Sequence, residues 1–319
     1  MNFSALLSII LTLFILLVCG FFCRKLKIIQ NASSKGLSQL IISIGQPAMI
    51  IAALANAEYT PENVTIAWQV TLISFVMHTL LALMAFGICK LLKKNPDQIK
   101  IFEFSLVFGN CGFIGFPILD SILGKGIGSF MGAFYVISFH LFLWTWGIII
   151  LARGREDIRM TPKKALLNYG TIPCLVGVVL YLCKPLFDVT GTLDFLGKSL
   201  DYLGNLCTPI SVLVTGALLA TIPFSKLFTN ARIYLHSAIK LLALPIIFCL
   251  LAKLCGLSDT YVLMVTAMAG VPSAATITML AELYNIEPGY ASQTVGVSSV
   301  LSVATLPVVM LFANWICTL

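Results

Sequence analysis

"FGNCGFIGFP", residues Phe108–Pro117, lies inside a run that otherwise reads as one membrane-spanning helix. Three glycines, an asparagine and a proline within ten residues interrupt the backbone hydrogen-bond ladder where lipid offers the freed groups no partner. Irregular backbone at that depth is tolerated only when it is buried in protein or lines a wet cavity. The stretch therefore predicts a helix broken in mid-membrane.

The rest of the chain agrees with that setting. Of its 319 residues 59% are hydrophobic and only 10% charged, against about 25% charged in a soluble globule, and the mean hydropathy is +1.00. This is the composition of an all-α polytopic membrane protein. The first apolar run, 5–23, is followed rather than preceded by Arg24, Lys25 and Lys27, the reverse of a cleavable signal peptide, so a retained first span is expected. The net charge of +7 is gathered in short loops without interleaved aromatics, which argues against nucleic acid as a partner. The ten cysteines show no CxxC or Cys/His metal spacing, so they read as small buried hydrophobes, Cys111 included. No metal or cofactor is expected.

Ten segments have the roughly 20 mostly apolar residues that a span needs: 5–23, 36–56, 66–89, 101–124, 126–152, 165–183, 203–221, 232–253, 260–284 and 290–316. Alternate loops carry the basic residues: Arg24, Lys25, Lys27 and Lys35; Lys90, Lys93, Lys94 and Lys100; Arg153, Arg155, Arg159, Lys163 and Lys164; then Lys226 and Arg232. The other side holds only Lys125, Lys184, Lys198 and Lys253. That bias predicts both termini outside the cytoplasmic membrane.

The chain also repeats itself. "GQPAMIIAALANA" around Pro47 resembles "CTPISVLVTGALLA" around Pro209, an offset of 162 residues, and His78 and Lys240 stand at the same offset. "GNCGFIGFP" in span 4 has a partner, "AGVPSAA", in span 9, with Pro117 and Pro272 offset by 155. Five spans is an odd number, so the copies, 1–164 and 165–319, enter the membrane from opposite sides. Inverted repeats with matched broken helices are the pattern of secondary transporters.

At each break Pro117 and Pro272 are expected to start the second half of the helix, because proline fits a first helical turn. Two half-helix N-termini near the midplane, each with unpaired N–H groups and about half a positive charge, would form an anion site. Asn110 adds a donor and acceptor, Gly109, Gly112 and Gly115 allow close approach, and Ser273, Ala274 and Thr276 continue the site on span 9. Gln46 and Thr208, beside the prolines of spans 2 and 7, bind either substrate or kinked backbone. Titratable groups within spans are functional candidates. His78 and Lys240 would tune charge beside the site, unless Lys240 and His236 reach to the cytoplasmic interface. Asp120 is either a cap or a coupling carboxylate; His140, near Trp144 and Trp146, either lines the pocket or bonds a neighbouring helix. Glu103 and Glu282 read as solvated carboxylates at cytoplasmic ends.

"GNCGFIGFPIL", "AGVPSAATITMLAELYNIEP" and "ASQTVGVSSVLSVATLPVVML" together resemble the auxin efflux carrier family, which includes the plant PIN carriers and bacterial carriers linked to malonate and other organic acids. The resemblance covers the whole chain. It implies a fold like that of sodium/proton antiporters and bile-acid symporters, with spans 4 and 9 crossing at their breaks. It also implies a scaffold of spans 1, 2, 6 and 7, against which a transport domain of spans 3–5 and 8–10 moves as an elevator. Asn110, Pro117 and Pro272 match the family's crossover positions. Gly109 stands where the plant carriers have proline, Ser273 where they have an amide, and a short basic loop replaces their long central one.

The expected function is secondary transport of a small organic anion, a carboxylate such as a dicarboxylate or auxin-like acid. The expected partners are that carboxylate, the lipid bilayer and a second copy through the scaffold. A cation antiporter would need buried acidic ligands, and apart from Asp120 the spans offer no carboxylate pair. A membrane sensor that binds without transporting is the other alternative. No paired carboxylates, HExxH or Ser/His arrangement points to an enzyme.

Overall fold

The structure, a computed structural model, describes residues 3–92, 95–124, 126–155, 168, 170–186, 194–221, 223 and 230–319. Lys93, Lys94, Lys125, Arg159, Lys163, Lys164, Lys226, the start of the sixth predicted span, the junction at 164 and 165, and the side chain of Glu282 lie outside the described residues.

Helices α1 (Phe3–Lys25), α2 (Asn31–Asn56) and α3 (Pro61–Leu91) open the chain. The fourth predicted span is two helices, α4 (Pro96–Val107) and α5 (Cys111–Leu123), followed by α6 (Ile127–Ala152). Next come α7 (Thr171–Cys183), α8 (Phe195–Leu219), which has a turn at Leu206, and α9 (Ala231–Leu254). The ninth predicted span is again two helices, α10 (Asp259–Gly270) and α11 (Thr276–Leu283), and α12 (Pro288–Thr318) ends the chain. Among the described residues all regular structure is helical. Seven helices, α1, α2, α3, α6, α8, α9 and α12, are long and apolar enough to cross a membrane. The 12 residues of α4 rise only about 18 Å, little more than half of a hydrocarbon core.

Local chemistry sets these boundaries. Thr60 accepts the Asn63 N–H at 3.1 Å and Asn95 accepts that of Asp97 at 3.0 Å, each just ahead of a proline in the first turn. Between α5 and α6 the chain reverses through Gly124 and Gly126, with φ of 106° and 88°, angles that glycine adopts without a Cβ penalty. Four helices carry a π turn, and three of these (Ile41–Gly45, Cys111–Gly115 and Ile239–Ala243) end two residues before Pro47, Pro117 and Pro245. A proline ring clashes with the carbonyl four residues back, and the extra residue of a π turn re-aims that carbonyl.

This corrects one expectation. The second half of the first broken helix restarts at Cys111, not at Pro117, which lies inside it. On the other broken helix the restart is Thr276, four residues beyond Pro272.

α1 packs along α8, and α2 packs on both α7 and α8; α3 and α5 pack on α6; α9, α10 and α12 form a third group. The α1–α8 contact is backbone to backbone. A Cβ on Gly216 would stand 1.9 Å from the Leu17 carbonyl oxygen, and one on Gly20 2.0 Å from that of Leu213. Gly216→Val is therefore expected to prevent stable insertion, whereas Gly36→Ala, with nothing within 4 Å of its added Cβ, should stabilise its helix by about 0.5–1 kcal/mol. Expression and monodispersity in detergent read both outcomes.

Polar groups go inward and apolar ones outward, as lipid requires. Trp68, Leu83, Leu175 and Ile15 are exposed, while His78, His140, His236, Lys240 and Glu103 are buried. Glu103 is thus not the solvated carboxylate its position suggests. It is fully buried and holds Arg153 through two bonds of 2.6 and 2.5 Å, the fork geometry that suits a guanidinium.

Candidate functional site

The two helix breaks meet. Gly109 and Ser273 form an antiparallel bridge; the Asn110 N–H donates to the Pro272 carbonyl at 2.7 Å, and the Ala274 N–H to that of Phe108 at 3.0 Å. Backbone groups that have lost their helical partners satisfy each other across the junction, which a buried break requires. Small residues make the approach possible: a Cβ on Gly109 would fall 2.7 Å from Val271 Cγ2, and one on Gly115 2.8 Å from Met268 Sδ.

Asn110 sits at the centre. Its carbonyl accepts the N–H groups of Ile114 and Gly115, both at 3.1 Å. The residue is only 5% exposed, and its side-chain amide makes no hydrogen bond among the described residues. Leaving such a group without a partner costs about 1–3 kcal/mol, and a ligand at the break would supply one.

Lys240 lies beside it. The side chain is 1% exposed, and Nζ donates to the Leu106 carbonyl at 3.1 Å, near the C-terminal end of α4. It also stands 3.2 Å from where a Gly109 Cβ would be. The reading in which Lys240 and His236 reach to the interface is therefore overturned, since both are buried, His236 completely. The ammonium is within electrostatic reach of His78 and Cys111. His78 itself is turned to the Ser74 carbonyl at 2.8 Å and packed against Tyr135, Phe139 and Phe142. All ten cysteines are free thiols, with Cys111 buried.

The remaining predicted residues divide. Ser273 is fully buried, its N–H held by Ser298 Oγ at 3.2 Å and its hydroxyl by the Ser105 carbonyl at 3.3 Å. With the Ala274 N–H also taken, the N–H groups just after Pro272 are engaged rather than free. Thr276, at the α11 start, instead lines a small gap with Ile41, Phe113 and Ser211 of the facing helices. Gly112, at the α5 start, faces Gln46 and Met49 of α2. Gln46 Nε2 lies 3.0 Å from His140 Nε2, so these two bond each other across helices rather than kinked backbone. The Thr208 hydroxyl donates to the Phe113 carbonyl at 3.1 Å, the one that Pro117, lacking an N–H, leaves free.

Asp120 proves to be a cap. Its carboxylate accepts the N–H groups of Gly126 at 3.0 Å and Ser129 at 2.7 Å, and the Ser129 hydroxyl. It therefore serves the start of α6 rather than its own half-helix, and its lone pairs are committed there. Sequence reasoning missed two participants: Met49, whose Cε faces Gly112, and Ser298, which holds the second break. Neither carries a signal, because an apolar side chain in an apolar span and one serine among several look alike.

A multi-pass helical membrane protein with two discontinuous helices paired at their breaks, a buried ammonium and a free amide beside them has the parts of a solute carrier. The chain matches the membrane transport protein family over residues 5–310 and belongs to it, the family of the auxin efflux and PIN-like carriers. It is 20% identical to the uncharacterized transporter YfdV of Escherichia coli, over 93% of this chain and 94% of that one. It is 22% identical to an uncharacterized transporter of Methanothermobacter thermautotrophicus, over 93% and 95%, and 20% to the uncharacterized transporter MJ1031 of Methanocaldococcus jannaschii, over 94% and 96%.

Proposed function

We propose that this membrane transporter carries a small organic anion, a carboxylate, across the cytoplasmic membrane, with both termini outside. The observation that carries this reading is the Lys240 ammonium, buried at the junction of the two breaks with one carbonyl partner among the described residues. An ammonium has three donors, and a buried cation is stable only when paired. A carboxylate at the junction would pair it, take the Asn110 amide, and lie near the positive ends of α5 and α11 through the N–H groups of Gly112 and Thr276. The site is thus moved from the backbone after Pro117 and Pro272 to the restarts at Cys111 and Thr276.

In this reading the chain has ten spans in two inverted copies, and α4/α5 and α10/α11 cross. Spans 1, 2, 6 and 7 form a scaffold, possessing the close α1–α8 contact that rigidity needs. Spans 3–5 and 8–10 move against it. The aromatic contacts of Tyr181 on α7 with Phe130 and Phe134 on α6, at 5.8 and 5.6 Å, suit a surface that slides, since apolar faces carry no directional bonds to break. A second copy would join through the scaffold. Against the cation-antiporter alternative, Asp120 is engaged as a cap and the buried Glu103 is paired with Arg153.

Thermal unfolding of the purified protein with a panel of mono- and dicarboxylates tests the binding step. A bound carboxylate at 100 times its Kd is expected to stabilise the fold by about 2.7 kcal/mol. No shift with any carboxylate up to tens of millimolar, alongside a shift with amines or sodium, would refute the assignment.

A further inference from the structure

A cleft of about 620 Å³ opens on the side of the 57–60 and 124–126 loops, and its inner end is formed by Met49, Phe116 and Gly204. Gln46 lies one helical turn beyond Met49, and Gly112 one turn beyond Phe116. The Gln46–His140 contact does not line the cleft; by its place along α2 and α6 it lies beyond the inner end, in the direction of Gly112 and the break. On the opposite face, the gap at Thr276 holds only about 20 Å³.

We propose that Gln46 and His140 form an internal gate that closes the cleft from the break. It joins α2 to α6, the two elements that the transport reading assigns to the scaffold and the moving part. The His140 ring, carried by α6, is wedged between α2 and the start of α7. Nε2 meets the Gln46 amide at 3.0 Å, and a Cβ on Gly170, at the start of α7, would fall 2.2 Å from Nδ1. Among the described residues Nδ1 has no hydrogen-bond partner, so the bond to Gln46 is the polar tie they show holding the ring. A tie of that kind is among the weaker ones, strong enough to hold a closed state and weak enough to break in every cycle. Either tautomer of the imidazole makes it, because the Gln46 amide can present its N–H or its carbonyl. The inference rests on the transport reading only for what passes the gate.

Gly112 supplies the reporter. A Cβ there meets Met49 Cε at 3.7 Å and Gln46 Nε2 at 3.8 Å, ordinary contacts, so Gly112→Cys fits and puts a thiol just behind the gate. The full-length chain in liposomes is treated with the anionic reagent 2-sulfonatoethyl methanethiosulfonate, and the adduct at residue 112 is located by fragmentation mass spectrometry. Labelling is expected to be slow with the pair intact and at least tenfold faster when either Gln46→Leu or His140→Phe removes the bond while keeping the bulk. Both variants are checked for monodispersity, and either alone suffices. Equal labelling rates in all three proteins would overturn the gate. Carboxylate uptake separates the two readings, and Gly112 itself belongs to the proposed anion site. Uptake is therefore read in parallel liposomes holding the chain with Gly112 in place: unchanged labelling with intact flux there removes the gate and leaves transport standing, whereas accelerated labelling with no flux from that chain keeps the gate and removes transport.

Discussion

Asn110→Ala is expected to reduce carboxylate uptake by about tenfold to a hundredfold while leaving the melting temperature unchanged or higher. The two halves of this result have separate causes. What Asn110 contributes to the fold is backbone: its N–H to Pro272, and its carbonyl to Ile114 and Gly115, none of which needs the side chain. The amide of this largely buried residue, unpaired among the described residues, carries a desolvation penalty that alanine removes. What it contributes to the ligand is a hydrogen bond to a charged group, worth about 1.5–3 kcal/mol, and 1.4 kcal/mol is a factor of ten. A variant that loses both stability and uptake would instead mark Asn110 as structural.

Lys240→Met should act in the same sense and more strongly. Methionine keeps the length and apolar stem of the side chain, and removes an ammonium whose partner among the described residues is the Leu106 carbonyl. Taking one member from a buried ion pair costs about 3–5 kcal/mol, so carboxylate affinity should fall by more than a hundredfold. The apoprotein should be at least as stable, because a buried charge with one neutral partner has gone. Ligand-induced thermal shift and uptake, measured together, check both statements. Full retention of carboxylate binding by Lys240→Met would show that the ammonium holds α9 to α4 and nothing more.

Much of this arrangement was legible in the sequence because membranes make backbone chemistry conspicuous. Glycines and prolines stand out in an apolar run, so "GNCGFIGFP" and "AGVPSAA" were recognisable as breaks, and their matched places in the two copies, at an offset of 155 close to the 162 of the rest, tied them together. The places where helices restart were not legible. Pro117 has the signature of a first turn, yet the π turn at Cys111–Gly115 absorbs it, and the Phe113 carbonyl it frees is taken by Thr208 from another helix. That partnership depends on packing, not on spacing along the chain. The same limit applies to charge. Glu103, three residues past Lys100, and Lys240, eight past Arg232, both look able to reach solvent, but Glu103 is buried against Arg153 and Lys240 against the break. Asp120 shows the converse case: a carboxylate three residues past Pro117 suggests its own half-helix as the target, whereas the positive φ of Gly126 turns the next helix's first N–H groups onto it.

Flux decides the matter most directly. Purified protein in sealed liposomes, loaded with one carboxylate and exposed to radiolabelled carboxylates outside, should accumulate label against empty liposomes, and the Asn110→Ala protein under the same conditions should do so about tenfold to a hundredfold less. Carboxylate-induced stabilisation without any accumulation would contradict transport and leave a membrane protein that only binds its ligand.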